Sequence, residues 1–157
     1  MAERNTVVQK GESAPDFTIK DQNGKEFSLS ELKGKRVLLS FHPLAWTGVC
    51  AKQMQSLEDN ADIFESLNTV PVGISVDSVP TKKSWAEQLG IKRVRLLSDF
   101  LPHGGVAKKY GLFRENDGFS QRANILIDEN GEVILSRVYE LSELPDIKEI
   151  IDLLKAL

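Results

Sequence analysis

The sequence predicts an α/β fold: a mixed sheet covered by helices on both faces, with an N-terminal β-hairpin. Three observations predict it. Strand-like and helix-like apolar periods alternate along the chain. Two segments, residues 37–41 and 70–77, are apolar almost without interruption, as strands covered on both faces must be. Two turn signatures, Asn23-Gly24 and Glu129-Asn130-Gly131, each lie between alternating runs and predict hairpins. No repeat and no linker divides residues 1–157, so a single domain is expected.

In the first hairpin, Phe17 and Ile19 alternate with polar neighbours before the turn, and Phe27 and Leu29 do so after it. The SELKG segment then turns the chain into KRVLLSFHP, a buried strand that Pro43 must end, or at whose edge it must sit, because proline donates no ladder hydrogen bond. From Thr47 the period changes. Cys50, Met54, Leu57, Ala61 and Phe64 recur at three- and four-residue steps, which makes one helical face with the cysteine at its start. VPVGISVD is the second buried strand, and PTKKSWAEQLG is a helix opened by Pro80 or Thr81 and ended by Gly90. RVRLLSD is a further strand, and GGVAKKYGLF holds a short helix stopped by Gly111. SQRANILIDENGEVILSRVY forms the second hairpin. The tail sets Ile147, Ile150, Ile151, Leu154 and Leu157 on an amphipathic helix with Pro145 near its start.

Composition narrows the function. At 157 residues the chain buries roughly two-thirds of its unfolded surface without metal or disulfide support. Twenty basic and 23 acidic side chains are interspersed, with a formal charge of -3. No basic stripe offers itself to nucleic acid or to an anionic membrane. The N-terminus is charged within its first four residues, and no segment approaches a membrane span, so a soluble cytoplasmic protein is expected. One cysteine cannot close an intramolecular disulfide or form a Cys-x-x-Cys site, and His42 and His103 complete no metal set with it.

That cysteine lies in HPLAWTGVC, residues 42–50. With Thr47 as the N-cap, Cys50 falls at the third helical position. Free backbone N–H groups and the positive end of the helix dipole favour a thiolate over a thiol there. In that register the Thr47 oxygen accepts the Cys50 backbone N–H, and its hydroxyl hydrogen is left for sulfur or substrate. Spacing alone also fits a buried cysteine that merely begins an apolar stripe. The loop that follows the buried strand favours chemistry, because open α/β sheets bind substrates outside the carboxyl ends of their strands. A distant donor is Arg122 in SQRANILID. Its fork can hold sulfur and an oxygen-rich substrate together, although a solvent-facing arginine is the commoner arrangement.

Pro43-x-x-x-Thr47-x-x-Cys50 is similar to the active-site motif of peroxiredoxins, and RANILID resembles that family's second signature. The resemblance runs from about Ala14 to the C-terminal helix. It implies a thioredoxin-like fold and a thiol-dependent peroxidase that needs no cofactor and reduces hydrogen peroxide or small organic hydroperoxides. By the same resemblance Cys50 is the peroxidatic nucleophile and Thr47 a hydroxyl partner of the peroxide oxygens. Pro43 shields the thiolate from water, Arg122 supports sulfur and substrate, and the backbone N–H groups of Cys50 and Val49 assist. Trp46 is expected to wall the pocket or to pack in the core.

Three departures stand out. Gln53 occupies a position where many members carry glutamate, and its amide can orient a neighbouring arginine as an acceptor. Gly48 replaces a common proline. No second cysteine resolves the sulfenic acid, so an external thiol or a thioredoxin- or glutaredoxin-like reductant is expected. Ser78, Thr81 and Ser84 occupy the helix in which some relatives place a resolver. The resemblance further implies a homodimer with contacts near the active-site loop and FLPHGG, where His103 lies. The competing reading is a peroxide sensor or redox adaptor that passes oxidation to a protein partner.

Overall fold

The computed structural model describes residues 4–157; residues 1–3, including Glu3 of the charged N-terminus, lie outside the described residues. The first hairpin pairs β1 (Thr18–Lys20) with β2 (Glu26–Ser28) in antiparallel register, Ile19 opposite Phe27. A 3-10 turn over Leu29–Leu32 leads into β3 (Arg36–Phe41). Helices α1 (Gly48–Asp59) and α2 (Ala61–Ser66) follow, then β4 (Thr69–Ser75), α3 (Val79–Leu89) and β5 (Arg95–Ser98). Next come α4 (Gly105–Lys109), the two-residue strands β6 (Phe113–Arg114) and β7 (Phe119–Ser120), β8 (Arg122–Ile127), β9 (Val133–Tyr139) and α5 (Ile147–Lys155).

Seven strands form one mixed sheet in the order β2-β1-β5-β4-β3-β8-β9. β3, β4 and β5 run parallel at its centre, β8 joins β3 antiparallel, and the hairpin attaches to β5 through Lys20 and Ser98. β6 and β7 pair separately, an arrangement that GLFRENDGFS does not signal because neither strand is long enough to show a period.

Strand alternation divides the core in two. Val37, Leu39 and Phe41 of β3 and Ala123, Ile125 and Ile127 of β8 point to one face, where α4, Tyr110, Phe17 and Phe27 cover them. Leu38 and Leu126 point to the other, beneath α1, α2, α3 and α5. Helices therefore cover both faces unequally, with four on one side and one on the other. Because Ser40 and Arg122 share the parity of Leu38 and Leu126, both point into the four-helix face.

The expected single helix from Thr47 to Phe64 is two. Asn60 leaves the helical region (φ -107°, ψ 15°), and its side-chain amide donates to the Ser56 carbonyl at 2.7 Å. Asparagine competes in this way with the backbone ladder, and the break re-aims Phe64 without removing it from the apolar face. Elsewhere α3 ends as expected at Gly90 in the left-handed conformation (φ 72°). Asp146 caps α5, its carboxylate accepting the Lys148 N–H at 3.0 Å.

Candidate active site

The site is assembled where β3 runs out. His42 and Pro43 end the strand, the chain turns through Leu44 and Ala45, and Trp46 takes a left-handed conformation (φ 68°) that directs it into α1. Such a conformation strains a residue with a Cβ and persists because its surroundings enforce it. The residue before Trp46 is held by Asp77, in the loop after β4, whose Oδ2 accepts the Ala45 N–H at 2.8 Å and the Ser75 hydroxyl at 2.5 Å.

Thr47 is the N-cap of α1 and Cys50 its third residue, as the spacing requires. The cap bond is not formed. The Thr47 hydroxyl instead donates to the Leu44 carbonyl at 2.9 Å, and its lone pairs accept no helical N–H. The first helical bond described runs from Ala51 N–H to the Thr47 carbonyl, so the N–H groups of Gly48, Val49 and Cys50 have no partner inside the helix.

Cys50 is wholly buried (0% exposed) in the four-helix core, yet it is not surrounded by hydrocarbon alone. Arg122, 3% exposed, donates from Nη1 to Cys50 Sγ at 3.4 Å and to Gln53 Oε1 at 2.6 Å. Its Nε and Nη2 both donate to the Leu141 carbonyl, at 3.1 and 2.8 Å. The guanidinium is thus fixed on both edges, and none of these three acceptors is a carboxylate. Gln53 is oriented in turn, its Nε2 donating to Ser40 Oγ at 2.7 Å and to the Phe41 carbonyl at 3.2 Å. Gln53 therefore acts as the neutral acceptor its position suggested.

An open cleft of about 330 Å³ lies over this group, lined by Pro43, Leu44, Thr47, Gly48, Val49, Phe119, Arg122 and Leu141. The structure brings Cys50, Thr47, Arg122 and Pro43 together. Trp46 departs from both expectations: it is 55% exposed and lines neither cleft nor core, since its left-handed backbone turns it outward. His103 Nε2 donates to the Gly118 carbonyl at 2.7 Å, and the ring packs edge-on against Phe113. Ser84 is exposed on α3, and Ser78 bonds Thr81 at 3.1 Å.

Sequence reasoning missed the second layer. His42 and Lys82 are both fully buried, with Lys82 Nζ 2.9 Å from His42 Nε2. A signal existed, because Lys82 precedes Trp85 by three residues and so shares its buried helical face. The Leu141 carbonyl carried no signal, since any residue supplies one.

Comparisons with known proteins identify the family. The AhpC/TSA family matches residues 10–136. Alkyl hydroperoxide reductase E of Mycobacterium tuberculosis is 40% identical over 152 residues, which cover 96% of this chain and 99% of that protein. Peroxiredoxin-1 of Gallus gallus is 34% identical over 145 residues, covering 86% and 70%. The crystal structure of reduced Plasmodium vivax 2-Cys peroxiredoxin superposes with a TM-score of 0.86 at 31% identity, covering 95% of this chain and 81% of that one. With the match spanning both motifs and the whole sheet core, the chain belongs to the AhpC/TSA family and is a peroxiredoxin, a thiol-dependent peroxidase.

Proposed function

We propose that Cys50 is the peroxidatic cysteine and reacts as a thiolate held by Arg122 and the first turn of α1. The observation that carries this reading is the 3.4 Å contact from Arg122 Nη1 to Cys50 Sγ, from a buried guanidinium whose other acceptors, Gln53 Oε1 and the Leu141 carbonyl, are neutral. A guanidinium so placed favours an anionic sulfur, and so do the N-terminal amides of the helix.

The peroxide enters the cleft over Val49 and Arg122. Because the Thr47 hydroxyl hydrogen is committed to Leu44, Thr47 Oγ1 offers its lone pairs to the peroxide O–H. Sulfur attacks that hydroxyl-bearing oxygen in line. An S–O bond forms, the O–O bond breaks, and RO⁻ departs and takes up the proton that the thiol had released. The products are Cys50 sulfenic acid and ROH. Arg122 and the amides of Val49 and Cys50 stabilise the charge leaving on oxygen, which is where donors contribute most to rate. Pro43, in the cleft wall, donates no hydrogen bond and keeps water from the sulfur.

Regeneration takes two external thiol equivalents. The first condenses with the sulfenic acid to give a mixed disulfide and water; the second displaces Cys50 and leaves as the disulfide. This follows from the presence of one cysteine in the chain. A thioredoxin- or glutaredoxin-like protein or a small thiol fills this role, in the cytoplasm, where such reductants keep a lone thiol reduced. Apolar Leu44, Val49, Phe119 and Leu141 around the cleft support small organic hydroperoxides as substrates alongside hydrogen peroxide. A homodimer is supported by the exposed Phe100 and Leu101, the latter 82% accessible, in the FLPHGG loop. One seven-stranded sheet that takes in both the first and the last strand of the chain supports reading residues 1–157 as one domain.

The test is peroxide consumption by reduced protein at equimolar ratio. Cys50→Ser is expected to consume none, and Thr47→Val to slow the reaction roughly 10- to 100-fold through loss of the hydroxyl acceptor. Parental rates in Thr47→Val would remove Thr47 from the substrate's path.

A further inference from the structure

Behind the cleft, the polar contacts continue away from Cys50. Arg122 holds Gln53, Gln53 holds Ser40 Oγ, and the Ser40 carbonyl lies 3.4 Å from His42 Nδ1. His42 Nε2 is in turn 2.9 Å from Lys82 Nζ. Every member of this chain, from Cys50 to Lys82, is buried. One tautomer satisfies both ring nitrogens: Lys82 donates to Nε2, and Nδ1–H points to Ser40.

A fully buried lysine needs a reason, because its charge is costly to desolvate and an apolar residue would pack more cheaply. Its surroundings supply one. Trp85 of the same helix lies 5.4 Å from the ammonium, ring centroid to nitrogen. Asp77, from the loop after β4, Cys50, from α1, and Asp99, from the end of β5, all favour its charged form, in that order. Both aspartates are engaged elsewhere, Asp77 with Ala45 and Ser75, and Asp99 with the N–H groups of Val106 and Ala107. Burial outweighs all three groups and brings Lys82 down to about 7. His42 is held well below its usual value, first by burial and then by the Lys82 charge, with Arg122 adding to the same effect.

We propose that Lys82 is a positioning residue for the Cys50 thiolate, a second buried cation that sets His42, Ser40 and Gln53 behind Arg122 and adds its own field at the sulfur. This deepens the reading of Cys50 as the reacting thiolate and rests on it. Arg122 has neutral acceptors apart from the sulfur, so Lys82 reinforces a site whose negative charge is the substrate-reactive atom itself.

The test reads ionisation without peroxide. The chain has one cysteine, so thiolate absorbance near 240 nm, corrected with Cys50→Ser, titrates Cys50 alone. In Lys82→Met the midpoint is expected to rise by roughly half a pH unit or more. Coupling is reciprocal, so Lys82 in Cys50→Ser, followed by NMR of labelled lysine side chains, should titrate lower by the same amount. The second measurement needs only a near-isosteric change at sulfur and stands even if Lys82→Met fails to fold. A merely structural lysine would leave both midpoints in place, and that result overturns the proposal. A shifted midpoint in a protein that consumes no peroxide would uphold the coupling and defeat the proposed function. Rapid consumption with unmoved midpoints would do the reverse.

Discussion

At Gln53 a neutral amide grips a buried guanidinium from one side while Leu141 grips it from the other, and this fixes Arg122 without cancelling its charge. The cost of polarity at this depth falls on Lys82. Its value in the folded chain, about 7, lies below the ordinary 10.5, so between those limits the unfolded chain binds more protons than the folded one. Stability therefore rises with pH across that window, and the penalty for burying the ammonium is fully present below about pH 7. Lys82→Met removes the titration. Denaturant unfolding is expected to show its stability relative to the parent at its best below pH 7 and declining as pH rises to about 9; a difference independent of pH would contradict the assignment. At the candidate site the spacing put Thr47 and Cys50 at the start of a helix, the resemblance singled out Pro43 and Arg122 where a solvent-facing arginine was the commoner arrangement, and Gln53 was legible as an acceptor for arginine. The hydroxyl direction of Thr47 was not, because it depends on a backbone carbonyl, that of Leu44, which any residue could supply. Trp46 misled because a large aromatic ring normally reads as buried, whereas its backbone conformation turns it outward.

Elements matter here through their parity and their clearance. A shift of one residue in β8 would turn Arg122 to the opposite face, so the alternation of RANILI aims the guanidinium as surely as its hydrogen bonds do. Helix α1 packs closely on β4 because Gly73 has no side chain. A Cβ there would lie 2.3 Å from Met54 Sδ, 3.1 Å from Leu96 Cδ2 and 3.3 Å from His42 Cε1. Gly73→Val is therefore expected to destabilise by about 1–3 kcal/mol in denaturant unfolding and to slow peroxide reduction, because it displaces both the cysteine's helix and His42. Parental stability and rate would show that the approach is not needed. Strand and helix periods in the sequence delivered these elements closely. The break at Asn60 escaped because the apolar stripe continues across it, and β6 and β7 escaped because two residues carry no period.

For the molecule as a whole, the sheet order sets β3 between β4 and β8, which gathers the strand end, α1 and Arg122 from segments distant in sequence. The mixed sheet with helices on both faces was legible, while the uneven division of helices was not, since face is decided by packing rather than by local pattern. Among the described residues no helix is long and apolar enough to cross a membrane. If the FLPHGG loop lies in a homodimer contact, Phe100→Ser with Leu101→Ser should lower the mass seen by light scattering from a dimer toward a monomer. An unchanged mass would remove that loop from the interface. The most direct measurement is stopped-flow reaction of the reduced protein with one equivalent of peroxide, followed by intact-mass analysis, in the parent and in Arg122→Met. The parent is expected to gain one oxygen on Cys50 in a fast step, and Arg122→Met to lose roughly 100-fold in that rate. An Arg122→Met protein that reacts as fast as the parent would contradict the claim that a guanidinium-held thiolate carries the reaction.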